Sequence, residues 1–471
     1  MTEVLVVDLD HTLLRSDMLY ESFWSAFSRD WRSPLQSALA LFQGKAALKQ
    51  YLSVSSQVDV KTLPYDEGVI AYIEAWRDAG GRTALVTASD NGIAQDICAH
   101  LNLFDEAYGS NGIENLKGAR KARFLIDKYG EKNFSYMGDS EADLAVWKHA
   151  SRAIIVNGSE ALKKRAASVA VEFENLHTHT VKVGSYLRAV RPHQWMKNIL
   201  VFLPMLAAHQ IDGSSFFSSF LAFISFSLVA SSVYVLNDLL DLDADRAHPR
   251  KCSRPFASGS IPIASGTWMA IGLFVVGVAI ALFLGPTFFS VMVGYYVLTT
   301  AYSLYLKRRI VVDICVLAGL YTMRIVAGGA ATDINLSVWL LAFSIFFFLS
   351  LAAVKRQAEL VDNVKQGKLT ATGRGYHVDD LPIISMVSIS AGYVAVLVMA
   401  LYVNSPSVVE MYARPNALWG VCAILLYWIT RTVMLAHRGW MHDDPVVYAA
   451  KDRQSQMTFA VILGFVVAGV I

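Results

Sequence analysis

Cysteine and charge are both scarce in this chain of 471 residues. The four cysteines, Cys98, Cys252, Cys315 and Cys422, include no CxxC pair, which argues against a paired-cysteine zinc site or a disulfide framework and leaves reduced thiols as the expectation. Charged residues make up 17% of the chain, against about 25% in ordinary globular proteins. The 54% apolar content, with 24 Phe, 20 Tyr and 10 Trp, points instead to many lipid-facing segments and excludes a disordered or collagen-like chain. A net charge of +2 lacks the basic excess that gripping a nucleic-acid backbone requires, so no nucleic-acid partner is expected. The first residues, MTEVLVVDLDHTLLRSD, have no basic leader and carry Glu3, Asp8, Asp10 and Asp17, so the expectation is a start in the cytoplasm.

Two regions differ in character. Residues 1–185 have ordinary charge density and short apolar runs (VLVVDLD, RTALVTASD, FSYMGDS) alternating with helical stretches, the rhythm of an α/β domain with a parallel sheet. Each run ends in Asp, Thr or Ser at its carboxyl end, where open parallel sheets place their ligands.

Residues 186–471 read as an all-α polytopic membrane bundle. Nine apolar segments follow one another, at 197–209, 215–236, 264–285, 287–305, 311–331, 336–354, 382–402, 416–435 and 455–471. About 20 apolar residues are needed to cross a bilayer core; the first segment is short, so eight spans is the alternative count. Lys and Arg concentrate in the loops after segments two, four, six and eight, and the loops after the odd segments hold only Arg414. By the positive-inside rule the even loops face the cytoplasm, on the side expected for the N-terminal domain. These loops are also rich in Asp, Asn, His and Tyr, which topology alone does not require, so the chemistry is expected there. The surrounding partner is the phospholipid bilayer, and the sequence leaves a homo-oligomer open.

In the N-terminal region, Asp8-Leu9-Asp10-His11-Thr12 follows an apolar run, so two carboxylates at i and i+2 project to one face where a strand gives way to a loop. Thr87, Lys121, Asp139 and Asp143 come later. Together they offer a nucleophile, an acid, phosphate-binding groups and hard oxygen ligands for Mg²⁺.

These motifs, in this order, resemble the haloacid dehalogenase (HAD) superfamily of aspartate-nucleophile phosphatases, a Rossmann-like fold. The resemblance implies that Asp8 attacks phosphorus and Asp10 acts as acid and then base. It also implies that Thr12, Thr87 and Lys121 hold phosphoryl oxygens, with Lys117 a rival for the lysine role. Mg²⁺ would sit on Asp8, Asp10, Asp139 and Asp143. Residues 14–62 would form a small helical cap that sets substrate choice. An intact fold with little turnover, kept for regulation or docking, is the competing reading.

After segment two the chain reads NDLLDLDADRAHPRKCSRP. If the helix continues through it, Asp238, Asp241 and Asp245 share one stripe beside Asn237, a set able to hold a divalent cation at the membrane boundary. The bland alternative is interfacial carboxylates paired with Arg246 and Arg250.

This stretch resembles the first aspartate-rich motif of the UbiA-type intramembrane prenyltransferases, and more closely their decaprenyl-phosphate phosphoribosyltransferase branch. The matching stretches are RPHQWMKN from Arg191, the loop from Asn237 to Pro255, YSLYLK from Tyr302, KRQAEL from Lys355, Arg374-Gly-Tyr376, and His442-Asp443-Asp444-Pro445. The second aspartate-rich motif of ordinary members is replaced by KRQAEL, which puts two cations where further metal ligands are expected. The resemblance implies Mg²⁺ on Asn237, Asp238, Asp241 and Asp245, with Asp238 and Asp241 catalytic. It implies phosphate or substrate contacts from Lys197, Asn198, Arg254, Lys307, Arg324, Lys355, Arg356, Glu359, Arg374 and Tyr376. Arg324 lies inside an apolar segment, and a structural role as a partner for backbone or carboxylate competes with substrate binding there. Gly328 and Gly329 are expected to permit close helix packing.

The combined expectation is a bifunctional membrane enzyme that moves 5-phosphoribose from phosphoribosyl diphosphate to a polyprenyl phosphate, after which the HAD domain removes the 5-phosphate. The alternative is prenyl transfer to an aromatic acceptor with a regulatory HAD domain. A transporter or lipid-binding protein is a more distant reading.

Overall fold

The computed structural model describes residues 3–110, 115–370, 374–441 and 444–470. The chain divides into two compact units, one of Met1–Val190 with Tyr234–Ile271 and the other of Arg191–Val233 with Gly272–Ile471.

The first unit is built on six parallel strands: β1 (Val4–Val7), β2 (Arg82–Asp90), β3 (Glu106–Ser110), β4 (Phe134–Gly138), β5 (Arg152–Val156) and β6 (Glu172–Leu176). Their order is β3-β2-β1-β4-β5-β6, so the chain starts in the middle of the sheet and winds outward in both directions. Strand alternation sends Leu5 and Val7 into one apolar layer with Leu85, Met137 and Ile154. Val4 and Val6 go into the other with Val86, Tyr136 and Ile155. A central strand buried on both faces explains why VLVV is continuously apolar. The sheet is the HAD-like α/β domain expected; β3, β5 and β6 add to the three strands read from sequence.

Residues 14–62 carry three short helices, Met18–Arg29, Ser33–Phe42 and Lys45–Ser55. Asp17 caps the first by accepting from Leu19 N. Asp66 caps the helix Glu67–Asp78 and is itself fully buried, bonded to Thr178, His179 and Arg15.

The remaining chain is helical, as expected. Its long helices are Gly213–Leu240, Ile263–Phe283, Pro286–Leu304, Val312–Thr332, Val338–Lys365, Leu381–Val403, Leu418–His437 and Arg453–Val470. Among the described residues seven helices are long and apolar enough to cross a membrane, rather than nine. Two expected segments fall short for identifiable reasons. Residues 192–202 wind as tight turns after Pro192, and Pro204 opens a helix of only five residues, Leu203–Ala207. Pro286–Leu304 forms a full helix but spends positions on Thr, Ser and Tyr, including Tyr295, Tyr296, Thr299, Thr300 and Tyr302.

In the second unit, Gly328 meets the chain near Val201 so closely that a Cβ there would lie 2.0 Å from the Val201 carbonyl oxygen. Gly329 is similarly placed, 2.9 Å from the Ile334 carbonyl oxygen. The close packing expected of this pair is present at Gly328, whereas Gly329 meets the turn that follows its own helix.

Candidate active sites

The carboxyl edge of the sheet gathers one acidic group of the first unit. Asp8 leaves β1 and accepts from Leu9 N at 2.8 Å, and a tight turn over Leu9–Leu13, with His11 at φ 56°, carries Asp10. Asp10 is held at both oxygens: Oδ1 accepts from Met18 N and Oδ2 from the Ser89 hydroxyl, each at 2.8 Å. Lys121 is buried with its ammonium 2.9 Å from Asp8 Oδ1, oriented by the Tyr136 hydroxyl at 2.9 Å. Lys117 is exposed, so the lysine that reaches Asp8 is Lys121. Thr87 is fully buried on β2 and accepts from Ser89 N, and the Thr12 hydroxyl lies 3.5 Å from Asp139 Oδ1.

Among the described residues, Asp8, Asp139 and Asp143 form a three-carboxylate group with ligand oxygens all within 4.8 Å of one another. Asp143 is fixed by Ser140 N, Ser140 Oγ and the Tyr136 hydroxyl. Burial, then repulsion from Asp143, Asp8 and Asp10, pushes Asp139 up to about 8; burial and Asp17 push Asp10 up to about 7. Such crowding of anions is relieved by a divalent cation, so the donor set fits Mg²⁺.

The second acidic group of this unit is the loop after Gly213–Leu240, and it differs from the expected stripe. The helix is interrupted at Asp241 (φ −100°, ψ 16°), although Asp241 N still bonds Asn237 O and Asp245 N bonds Asp241 O. Asp238 and Asp245 are buried, Asn237 is half-buried and Asp241 is exposed. The two buried carboxylates converge on one guanidinium: Arg254 Nη1 lies 3.0 Å from Asp238 Oδ1 and 2.6 Å from Asp245 Oδ2. Arg254 thus bridges carboxylates here, and Arg246, weighed as their partner, binds Glu21 instead. Asp245 Oδ1 is buried with no hydrogen-bond partner, and the Lys251 ammonium stands 3.9 Å away. An orphaned buried carboxylate oxygen beside a second buried carboxylate fits a hard cation.

In the second unit the predicted cations occupy four settings. Lys197 and Lys355 meet on Asp444, their ammonium nitrogens 2.8 and 2.9 Å from Oδ2, and the Tyr321 hydroxyl donates to the same carboxylate. Arg356 is fully buried against Asp313, which also takes Arg374 at 3.1 Å and the Tyr302 hydroxyl at 2.8 Å. Glu359 pairs with both Arg356 and Arg374. Tyr376 accepts from Val311 N and lies under the Arg356 guanidinium, 5.4 Å from ring centre. Arg324 has neutral partners, Asn198 Oδ1 at 2.8 Å, the Tyr295 hydroxyl at 3.1 Å and the Leu320 carbonyl, and Asn198 donates in turn to Ser227. Lys307 is half-buried on the turn Leu306–Arg308. His442 and Asp443 lie outside the described residues.

Sequence reasoning missed Asp313 as the anchor of two arginines, Asp444 as the anchor of two lysines, and Ser89 as the partner of Asp10. An acid two residues into an apolar span, directly after Lys307-Arg308-Arg309, was the available signal for Asp313.

The sequence profile of the UbiA prenyltransferase family matches residues 198–462. The chain belongs to this family. The profile of haloacid dehalogenase-like hydrolases matches residues 5–148, so this UbiA family member carries an N-terminal HAD-like domain. An uncharacterized protein, y4nM, of Sinorhizobium fredii is 37% identical over 463 residues, covering 97% of this chain and 89% of its own. Nodulation protein NoeC of Azorhizobium caulinodans is 39% identical over 271 residues, covering 58% of this chain and 88% of its own. A decaprenyl-phosphate phosphoribosyltransferase of Mycolicibacterium smegmatis is 33% identical over 301 residues, covering 61% of this chain and 93% of its own. The UbiA family member is accordingly an integral membrane enzyme of the prenyltransferase class.

Proposed function

We propose that this enzyme transfers 5-phosphoribose from phosphoribosyl diphosphate to a polyprenyl phosphate on its cytoplasmic side, and that its HAD-like domain then removes the 5-phosphate. The observation that carries the transfer step is the replacement of a second acidic motif by KRQAEL, whose Lys355 is positioned with Lys197 on Asp444. Positioned cations suit a donor with a diphosphate and a further phosphate better than they suit a second metal. The similarity to a decaprenyl-phosphate phosphoribosyltransferase over 93% of that protein supports the same reading.

In this proposal Asp238 and Asp245, with Asn237 and Asp241, would hold Mg²⁺, whose charge would offset that of the diphosphate leaving group. Arg254, released from the carboxylates, grips diphosphate oxygens. The C1–O bond to diphosphate breaks, positive charge develops at the anomeric carbon, and a phosphate oxygen of the lipid forms the new C1–O bond. Lys197 and Lys355 bind phosphate groups of donor and acceptor; Arg356, Arg374, Glu359, Tyr376, Lys307, Asn198 and Arg324 orient the surrounding helices and loops.

In the HAD-like domain, Mg²⁺ on Asp8, Asp139 and Asp143 would shield the phosphoryl charge. Asp8 attacks phosphorus while Asp10 gives its proton to the leaving ribose oxygen. Asp10 then takes a proton from the water that cleaves the aspartyl phosphate and frees phosphate. Thr12, Thr87 and Lys121 hold phosphoryl oxygens.

The test is product mass spectrometry with labelled phosphoribosyl diphosphate and polyprenyl phosphate. Wild type is expected to give the ribosylated lipid without the 5-phosphate, Asp8→Asn the lipid that keeps it, and Asp238→Asn neither. The same phosphorylated lipid from wild type and Asp8→Asn overturns the coupled steps. Product formed from a prenyl diphosphate instead overturns the donor assignment.

A further inference from the structure

The cap helix Ser33–Phe42 is built inside out. Its buried side chains are hydroxyls, Ser33 and Ser37, with Ser33 Oγ donating to the Ala26 carbonyl at 3.0 Å. Its large apolar side chains face away from the protein: Leu35 is 66% exposed, Leu39 61%, Phe42 90%, and Trp31 just before it 69%. At about 100° per residue, Leu35, Leu39 and Phe42, continued by Trp31 just before the helix, occupy one sector and Ser33 and Ser37 the opposite one, while Leu41, 51% exposed, falls nearer the serines. Against an aqueous surface the natural arrangement is the reverse, leucines inward and serines outward. Grouped aromatics and leucines of this kind mark an interaction surface.

We propose that this face of the cap lies in the interface of the phospholipid bilayer. The adjoining cap helix, Met18–Arg29, is tied to the ends of two membrane-length helices. Trp24 Nε1 donates to Thr267 Oγ1 at 3.0 Å near the start of Ile263–Phe283, where the next residue, Trp268, is itself exposed apolar surface. Glu21 pairs with Arg246 in the loop that follows Gly213–Leu240. The cap is therefore anchored where spans emerge, which puts headgroups within its reach and makes lipid the occupant. The ends of the patch match that medium. Arg29 and Arg32 are exposed beside it, and the Arg32 guanidinium stacks 5.5 Å over the Trp31 ring, an amphipathic pair suited to the headgroup level and to anionic lipid phosphates. The inference depends on the chain's place in the membrane and not on which donor the enzyme uses.

The test uses the full-length protein in phospholipid nanodiscs without added polyprenyl lipid, with the exposed Cys252 and Cys315 replaced by serine. A nitroxide is attached in turn at Phe42→Cys, Leu39→Cys and Glu74→Cys, the last an exposed carboxylate position on the helix Glu67–Asp78. Collision rates with oxygen, which concentrates in lipid, and with a water-soluble nickel chelate are compared. Positions 39 and 42 are expected to show an oxygen-to-nickel ratio several-fold above that at 74, rising further when anionic lipid is included. Ratios at 39 and 42 equal to that at 74 overturn the proposal. Spin–spin broadening between two labels at 42, the mark of a second copy seated on this face, overturns it as well. All three positions are on the surface, so loss of folding does not confuse the outcome.

Discussion

Glu21 and Arg246 form a two-pronged ion pair sealed from solvent: Arg246 Nη2 lies 2.6 Å from Glu21 Oε1 and Nη1 3.1 Å from Oε2, with side-chain exposures of 3% and 2%. The Ser16 hydroxyl donates to Glu21 Oε1 at 2.6 Å, and Arg246 Nε reaches the Ala257 carbonyl. Arg246 directly follows Asp245, and Glu21 lies in the helix whose Met18 N–H holds Asp10. One short chain of contacts thus runs from the HAD carboxylates to the acidic loop.

Removing one partner of this pair leaves a buried, uncompensated charge, which costs about 3–5 kcal/mol. Glu21→Gln is expected to lower the thermal midpoint of the purified protein, and Glu21→Gln combined with Arg246→Met to recover much of it. Scanning fluorimetry in detergent checks both. A single variant as stable as wild type would contradict the geometry.

Ser89 is predicted to serve the HAD chemistry through Asp10. Ser89→Ala removes one hydrogen bond, worth about 1–1.5 kcal/mol, so phosphate-ester turnover should fall roughly 5–10-fold with KM little changed. Hydrolysis of p-nitrophenyl phosphate over a range of concentrations measures the split.

Asp66 makes stability fall in acid. Burial opposes its charge, but hydrogen bonds from His179 and Thr178 and the Arg15 guanidinium outweigh this and hold the carboxyl well below the usual range. A folded-state value below the unfolded one, about 3.9, means the contribution is complete above that pH and fades as pH drops toward the folded value. Intrinsic fluorescence during acid titration should show wild type destabilising below pH about 4. Asp66→Asn should begin less stable and change less across the same window.

Gly328→Ala is expected to destabilise the membrane domain by about 1–3 kcal/mol, because its Cβ would meet the Val201 carbonyl. Gly319→Ala, in the same helix with nothing within 4 Å of its Cβ, is the matched control and should be neutral or mildly stabilising. Thermal unfolding of the two variants separates close packing from helix propensity.

Legibility followed burial. β1, β2 and β4 are readable because central strands are apolar on both faces and carry Asp8, Thr87 and Asp139 after or toward their carboxyl ends. β3 and β6 lie at the sheet edges and carry Glu106, Glu172 and Glu174, so no apolar run announces them. Ala153 to Val156 in β5 is apolar but too short to tell from a helical fragment. In the membrane region, residue types pointed to the right stretches while pairings stayed hidden. Lys197 meets Asp444 across 247 positions and Arg356 meets Asp313 across 43, separations that no local periodicity encodes. The expected three-acid stripe failed because ideal helical spacing ignores the interruption at Asp241 and the pull of Arg254 on Asp238 and Asp245.

Were the acidic loop to take the proposed cation, the shared Arg254 would impose a selection rule on it. A bare ion approaching it meets a resident positive charge and must displace it with nothing to offer in return. An ion already escorted by a polyanion brings the guanidinium a new counterpart at the moment it surrenders the old one. On the proposed reading, the loop would therefore favour ion and anion arriving together.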